Sequence, residues 1–172
     1  HSEGWDGVSI TGFSDCDDED DTIYPTAPEI CDGQINECGG SLPVNEIDND
    51  GDNFVECSFH SEGWDGDSSV TGDEDCDDTS IVTFPGSAEN DSTTLCLTDA
   101  DNDGYAPDDD GGTDCDDGDD TIYPSAPEIC DGQVNECGGS LPANEIDDDG
   151  DDFVECIFHN EGWDGDSSVT AG

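Results

Sequence analysis

The segment DADNDGYAPDDD, residues 99–110, sets oxygen-bearing side chains at alternate positions ahead of a glycine. Successive side chains of an extended turn diverge, so every second one can converge on a common point, and a glycine in sixth place permits the bend that follows. Asp99, Asp101 and Asp103 take the first, third and fifth places and Gly104 the bend. The carbonyl of Tyr105 follows, and Asp110 stands twelfth, where a carboxylate closes a hard-cation shell. The chemistry expected is coordination of calcium, with multiple ions per chain.

Related acidic groupings recur. EIDNDGD and EIDDDGD assign Glu46, Asp48, Asp50, Gly51 and Asp52, then Glu145, Asp147, Asp149, Gly150 and Asp151, to the same scheme. Their twelfth places hold Cys57 and Cys156, which cannot serve, so closure is expected from Glu62, Asp65 or the next DCDD. DCDD itself offers alternate carboxylates on a disulfide-tethered backbone: Asp15, Asp17 and Asp18; Asp75, Asp77 and Asp78; Asp114, Asp116 and Asp117. EICDGQINEC adds Glu29, Asp32 and Asn36, with Glu128, Asp131 and Asn135 in a second copy. A single acidic run is ordinarily a solvated surface; here the acids fall at ligand spacing beside Gly and Cys. No helical pattern flanks the loops, so they are not full EF-hands.

Composition makes bound cations a necessity. The chain has 172 residues with 50 Asp and Glu, no Lys or Arg, and a formal charge of -50. Two carboxylates about 4 Å apart repel by roughly 1 kcal/mol even at the dielectric of water. Leu, Ile, Val and Phe number only 28, a fraction that with such charge normally marks disorder. Ten cysteines supply a second source of order, read as a disulfide framework made in an oxidising, extracellular setting. A chain without Lys or Arg repels nucleic acid and anionic membranes, and no apolar run reaches the length of a span. No Ser/His/acid grouping, free-thiol motif or phosphate loop is present, and no cationic group can stabilise an oxyanion; catalysis is not expected.

The elements that must position these groups are repeats. Residues 15–71 match 114–170 at an offset of 99 with eight substitutions. Residues 72–113 form a shorter variant, and 1–14 resemble the module tails, which predicts segments at 1–14, 15–71, 72–113 and 114–172. The sequence thus starts and stops inside a repeat, the pattern of a longer array or of copies stacking end to end as a homopolymer. Regular structure should be scant, because Gly and Pro recur every ten residues or so and no helical period persists. Short strands are expected at DTIYP, DNFVEC and DSSVT. The predicted fold is a mostly irregular, elongated, disulfide-stapled calcium-binding repeat array. Comparison of long and short modules favours pairs Cys16–Cys31, Cys38–Cys57, Cys76–Cys96, Cys115–Cys130 and Cys137–Cys156, with crossed or inter-module bridges as the alternative.

DCDD…IYPTAPEICDGQINEC resembles the metal-binding repeat of secreted and surface-anchored bacterial proteins, a family that includes the methanotroph surface copper-binding protein. DADNDGY is similar to the calcium loops of thrombospondin type 3 repeats, which wrap strings of ions with little secondary structure. Where the bacterial repeat typically reads CDGIDNDCDG, this chain has CDGQINECGG, two acids fewer. The resemblance also implies a copper site of His with an oxidised Trp, at His60 with Trp64, His159 with Trp163 or His1 with Trp5. One such soft ligand per module is meagre for copper, and these aromatics are expected to shield a module junction instead. The function expected is that of an extracellular structural protein, part of a surface stalk, adhesin or self-assembling fibre rigidified by calcium. Copper scavenging and a passive spacer for a binding domain are the rivals. Asn90, in NDS, meets the N-glycosylation pattern.

Overall fold

The computed structural model describes residues 15–159 and 162–170. The tail at 1–14, with His1 and Trp5, lies outside them. The chain divides into two compact units, His1–Ile81 and Val82–Gly172.

Regular structure is sparse, and the sequence says why. The first unit holds one 3-10 turn, Val44–Glu46, entered through Pro43 at φ -58°. The second repeats it at Ala143–Glu145 after Pro142. The second unit also carries one antiparallel hairpin, β1 (Thr83–Pro85) with β2 (Cys96–Thr98), in which Phe84 faces Leu97. Two of the expected strands shrink to single bridges, Tyr24 with Glu37 and Phe54 with Gly72, while DSSVT forms a turn. Gly, Pro and the aspartate loops break every run before a ladder can grow. Among the described residues no helix is long and apolar enough to cross a membrane.

Carboxylates replace the missing ladders. Asp20, Asp32, Asp52, Asp75, Asp103, Asp119 and Asp131 each accept the backbone N–H two residues on. These Asx turns give the backbone a local partner where helix and sheet supply none. Thr22 N–H and hydroxyl on Asp20, and the same pair from Thr121 on Asp119, hold those two carboxyls below the usual range.

The apolar core is slight. Ala88, Leu97 and Ala106 form a buried cluster in the second unit, while Ile157 stays 93% exposed. Disulfides carry more of the order, in a pairing different from the expected one. Cys16 joins Cys38 and Cys31 joins Cys57; Cys115 joins Cys137 and Cys130 joins Cys156. Cys16–Cys31, Cys38–Cys57, Cys115–Cys130 and Cys137–Cys156 are therefore corrected. Cys76 and Cys96 are disulfide-bonded too, and no cysteine is free.

Backbone pairing explains the crossed pattern. Tyr24 donates its N–H to the Asn36 carbonyl at 3.2 Å and accepts from Cys38 at 3.4 Å, which lays the Cys38 segment beside the module opening. The stretch after Cys57 instead lies along Cys31, with His60 N–H on the Cys31 carbonyl and Asp65 N–H on that of Asp32, both at 2.7 Å. Gly33 makes this approach possible: at φ +80° it also passes so near Gly66 that a β-carbon there would stand 2.4 Å from the Gly66 Cα.

Candidate metal centres

In DADNDG the first aspartate shapes the loop. Asp99 is 3% exposed, and its two oxygens accept from Asn102 N–H at 2.7 Å and Gly104 N–H at 2.9 Å. Asn102 and Gly104 both take positive φ, 65° and 94°, the curvature that lets one carboxylate gather two amides. The Oδ1 atoms of Asp101 and Asp103 each accept from the N–H two residues on, at 3.2 and 2.8 Å. Their Oδ2 atoms turn inward, buried and without a partner.

The next DCDD closes this loop. Asp114 donates its N–H to the Ala106 carbonyl at 2.8 Å, and its Oδ1 accepts from Asp116 N–H. Its Oδ2 is buried and unpartnered, and the residue is 2% exposed. Asp117 accepts from Ala100 N–H at 2.8 Å. Ligand atoms of Asp99, Asp101 and Asp103 lie within 4.8 Å of one another, and so do those of Asp101, Asp114 and Asp117. Asp101 belongs to both groups and links them.

The first unit repeats the loop, with Asp48, Asp50 and Asp52 convergent. Asp48 accepts from Gly51 N–H at 2.6 Å and Asn53 N–H at 3.1 Å, as Asp99 does. The Oδ1 atoms of Asp50, Asp52 and Asp75 accept from the N–H groups of Asp52, Phe54 and Asp77 respectively. The Oδ2 atoms of Asp50, Asp52 and Asp75 are buried and unpartnered, the counterparts of Asp101, Asp103 and Asp114. Asp78 accepts from Asn49, as Asp117 does from Ala100.

This equivalence moves the register of the long-module loop by two residues. Asp48, Asp50 and Asp52 take the first, third and fifth places, and Asn53, at φ 74°, makes the bend assigned to Gly51. In the second copy Asp147, Asp149 and Asp151 converge likewise, with Asp152 at φ 68°. Glu46 and Glu145 do not join them. The Glu46 Oε2 binds the Asp32 and Gly33 amides at 3.3 and 2.8 Å, and Glu145 does the same for Asp131 and Gly132. The 3-10 turns aim both glutamates back at that bend.

Other expected ligands also take structural duties. Glu29 accepts from the Asn36 and Glu37 amides, Asn36 Oδ1 from Ile30, and Asp32 from Gln34 and the Asn36 side chain. Glu128, Asp131 and Asn135 repeat the arrangement. In the second and third DCDD segments the first and fourth residues, Asp75 with Asp78 and Asp114 with Asp117, turn inward rather than alternate ones. Asp77 and Asp116 are exposed, as are Asp15, Asp17 and Asp18. Asp110 is exposed and accepts from Thr98 N–H, so twelfth-place closure is replaced by Asp114 and Asp117. Glu62 and Asp65 are in none of the convergent groups among the described residues. Tyr105 gives its N–H to Asp103 and stacks its ring 5.6 Å from Tyr123. Asp114 also lies near Cys115 and Cys137, but those sulfurs are bonded to each other and are no ligands.

Two residues outside the expected set position the loops. Asp91 ties loop exit to closing segment, its carboxylate accepting from Ala106 N–H at 2.9 Å, Thr113 N–H at 3.2 Å and the Thr113 hydroxyl at 2.6 Å. Asn49 anchors Asp78. Neither stands at ligand spacing, and their partners are distant in sequence. Asn90 is exposed, but its side-chain nitrogen donates to the Asp103 carbonyl and stands over Gly104.

The electrostatics match the geometry. Burial, reinforced by like charges nearby, pushes Asp52 and Asp101 up to about 6 and Asp103 to about 7. Asp75 and Asp117 rise for the same reasons. A buried carboxylate oxygen without a partner is strongly unfavourable, and like charges close by add repulsion. A bound metal cation would offset both costs.

His60 and His159 are placed otherwise. Phe59 stacks on Trp64 at 5.2 Å and Phe158 on Trp163 at 4.8 Å, beside the two histidines. The Nδ1 atoms of His60 and His159 are buried without a partner. No convergent group of three or more ligands among the described residues includes a histidine.

A family model described as "Putative metal-binding motif", whose label adds copper binding, matches residues 15–43, 75–103 and 114–141, together half of the chain. No curated protein and no solved structure matches.

Proposed function

The chain belongs to the family described as "Putative metal-binding motif", and from that premise we propose that it is an extracellular structural protein rigidified by calcium. Its place is in a surface fibre or adhesin stalk, and its role is not catalytic. The observation that carries this reading is the matched triplet of buried, unpartnered oxygens, on Asp50, Asp52 and Asp75 and again on Asp101, Asp103 and Asp114. When bound, calcium supplies the positive charge the sequence lacks. Asp48 and Asp99 hold the loops in shape, and Asp78 and Asp117 tie the closing segments to them. Oxygen-only shells in flexible extracellular loops bind calcium at about 10⁻⁴ to 10⁻³ M, which suits a structure loaded in calcium-rich surroundings. The disulfides support the extracellular setting.

The test is calcium titration of the purified chain by calorimetry, with thermal unfolding before and after a chelator. Saturable binding of at least two ions and a large loss of thermal stability on chelation are expected. An unchanged melting curve would overturn the reading. Copper is the second reading, favoured by the unpartnered Nδ1 of His60 and His159. Copper bound at one ion per histidine, with an electron paramagnetic resonance signal showing nitrogen ligation, would support it over calcium.

A further inference from the structure

Tyr24, Pro25, Thr26 and Ala27 form a tight turn, closed by Ala27 N–H on the Tyr24 carbonyl at 3.0 Å, and the turn recurs twice. Ala126 N–H reaches the Tyr123 carbonyl at 3.1 Å, and in the short module Ser87 N–H reaches that of Phe84 at 3.1 Å. The third residue of all three turns has a left-handed backbone: φ is 67° at Thr26, 66° at Ser125 and 85° at Gly86. Glycine adopts that conformation freely, whereas a residue with a β-carbon, and a β-branched threonine above all, is strained in it. The short module thus carries the residue that the turn favours. Both long modules accept strain to put a hydroxyl in the same place.

Neither hydroxyl offsets that strain within the chain. Thr26 and Ser125 are exposed, and their side chains make no hydrogen bond among the described residues. Other hydroxyls of the same modules are held by carboxylates: Thr22 by Asp20 and Thr121 by Asp119, both at 2.6 Å, Ser69 by Asp67 at 2.8 Å and Ser168 by Asp166 at 2.9 Å. The alanine after each free hydroxyl anchors the turn, with Ala27 6% and Ala126 5% exposed. Prolines frame it, Pro25 with Pro28 and Pro124 with Pro127. They fix φ and remove backbone donors, so the hydroxyl sits at the surface of a stiff segment that no helix or sheet takes up.

We propose that Thr26 and Ser125 are attachment sites for neutral O-linked sugars. Serine and threonine set among prolines are the composition of O-glycosylated extracellular stalks. Charge selects against the alternative, because a phosphate would add roughly -1.5 to -2 to a chain at -50 with no Lys or Arg to pair with it. The step is glycosyl transfer from a phosphate-activated sugar donor. The bond between the anomeric carbon and the phosphate oxygen breaks, and a bond to the Thr26 or Ser125 hydroxyl oxygen forms. The hydroxyl proton passes to a base of the transferase, and the phosphate leaves as the anion. The proposal rests on the extracellular setting of the functional reading and adds a modification to it.

The experiment is peptide mass spectrometry on the protein purified from the organism that makes it. The chain has no Lys or Arg, so it is reduced and cut by a protease specific for acidic residues. Peptides containing Thr26 and Ser125 are expected to carry whole hexose or hexosamine increments that alkaline β-elimination removes. The variant Thr26→Gly/Ser125→Gly, which copies the residue that the short module has at Gly86, is expected to fold, to lose those increments and to leave calcium titration unchanged. Bare peptides from the unaltered protein, phosphate increments, or sugar that persists on these peptides in the variant would overturn the proposal. Calorimetry on the same material separates the two readings: calcium binding with bare hydroxyls refutes the modification alone, and sugar without calcium binding refutes the calcium reading alone.

Discussion

Asp114 places its backbone N–H 2.8 Å from the Ala106 carbonyl, and that bond sets the second acidic segment beside the first. Its side chain thereby brings a buried, unpartnered oxygen to those of Asp101 and Asp103. A site made this way is unfavourable without its ion, and most of what can be tested follows from that.

Asp103→Asn should act in opposite directions with and without calcium. The neutral amide keeps the shape but removes a crowded charge, so the metal-free protein should melt higher than the parent. Calcium affinity at that loop should fall about tenfold or more, a loss of at least 1.4 kcal/mol. Calorimetry and melting in chelator read the two effects separately.

Acidity should sort the two states in the same manner. Asp52, Asp101 and Asp103 rise from 3.8 to about 6, 6 and 7 in the folded protein. Folded chains therefore hold protons that unfolded chains have released. Metal-free stability should be greatest near pH 4, declining as pH climbs toward 7 through these groups and falling below 4 as Asp20 and Asp119, held low in the folded protein, take up protons. Calcium requires the deprotonated form, so its affinity should instead weaken as pH drops below 7, by about tenfold per unit for each proton displaced. Melting temperatures from pH 4 to 8, with calcium and with chelator, should show opposite slopes.

Glu46→Gln tests the loop register. Glu46 caps the Asp32 and Gly33 amides and lies outside the ion's space. The substitution should lower stability by about 1 kcal/mol through a weaker, uncharged acceptor and leave calcium stoichiometry unchanged. A lost ion would restore the register that begins at Glu46.

Disulfide mapping by mass spectrometry should recover linked peptides containing Cys16 with Cys38 and Cys31 with Cys57. The paired replacement Cys31→Ser/Cys57→Ser opens a loop of sequence separation 26 and should cost about 3 kcal/mol. Peptides joining Cys16 to Cys31 would contradict the pairing.

The sequence by itself determined the chemistry: oxygen ligands at alternate places, half-cystines in place of a core, a repeat with little regular structure. These were legible because an Asx turn, or a loop wrapped on its first aspartate, involves residues no more than five apart. DADNDG accordingly lies where its spacing put it. Tertiary structure alone decided which carboxylates close each loop, which glutamates serve as caps, and which cysteines pair. Those outcomes depend on bonds across distance, such as Asn49 to Asp78 over 29 residues and Ala100 to Asp117 over 17. In a chain with 50 acids, many candidates stand at workable spacing, and spacing cannot say which segment lies alongside which. Backbone pairing from Tyr24, Cys31 and Val55 makes that choice, and the carboxylates go where it carries them.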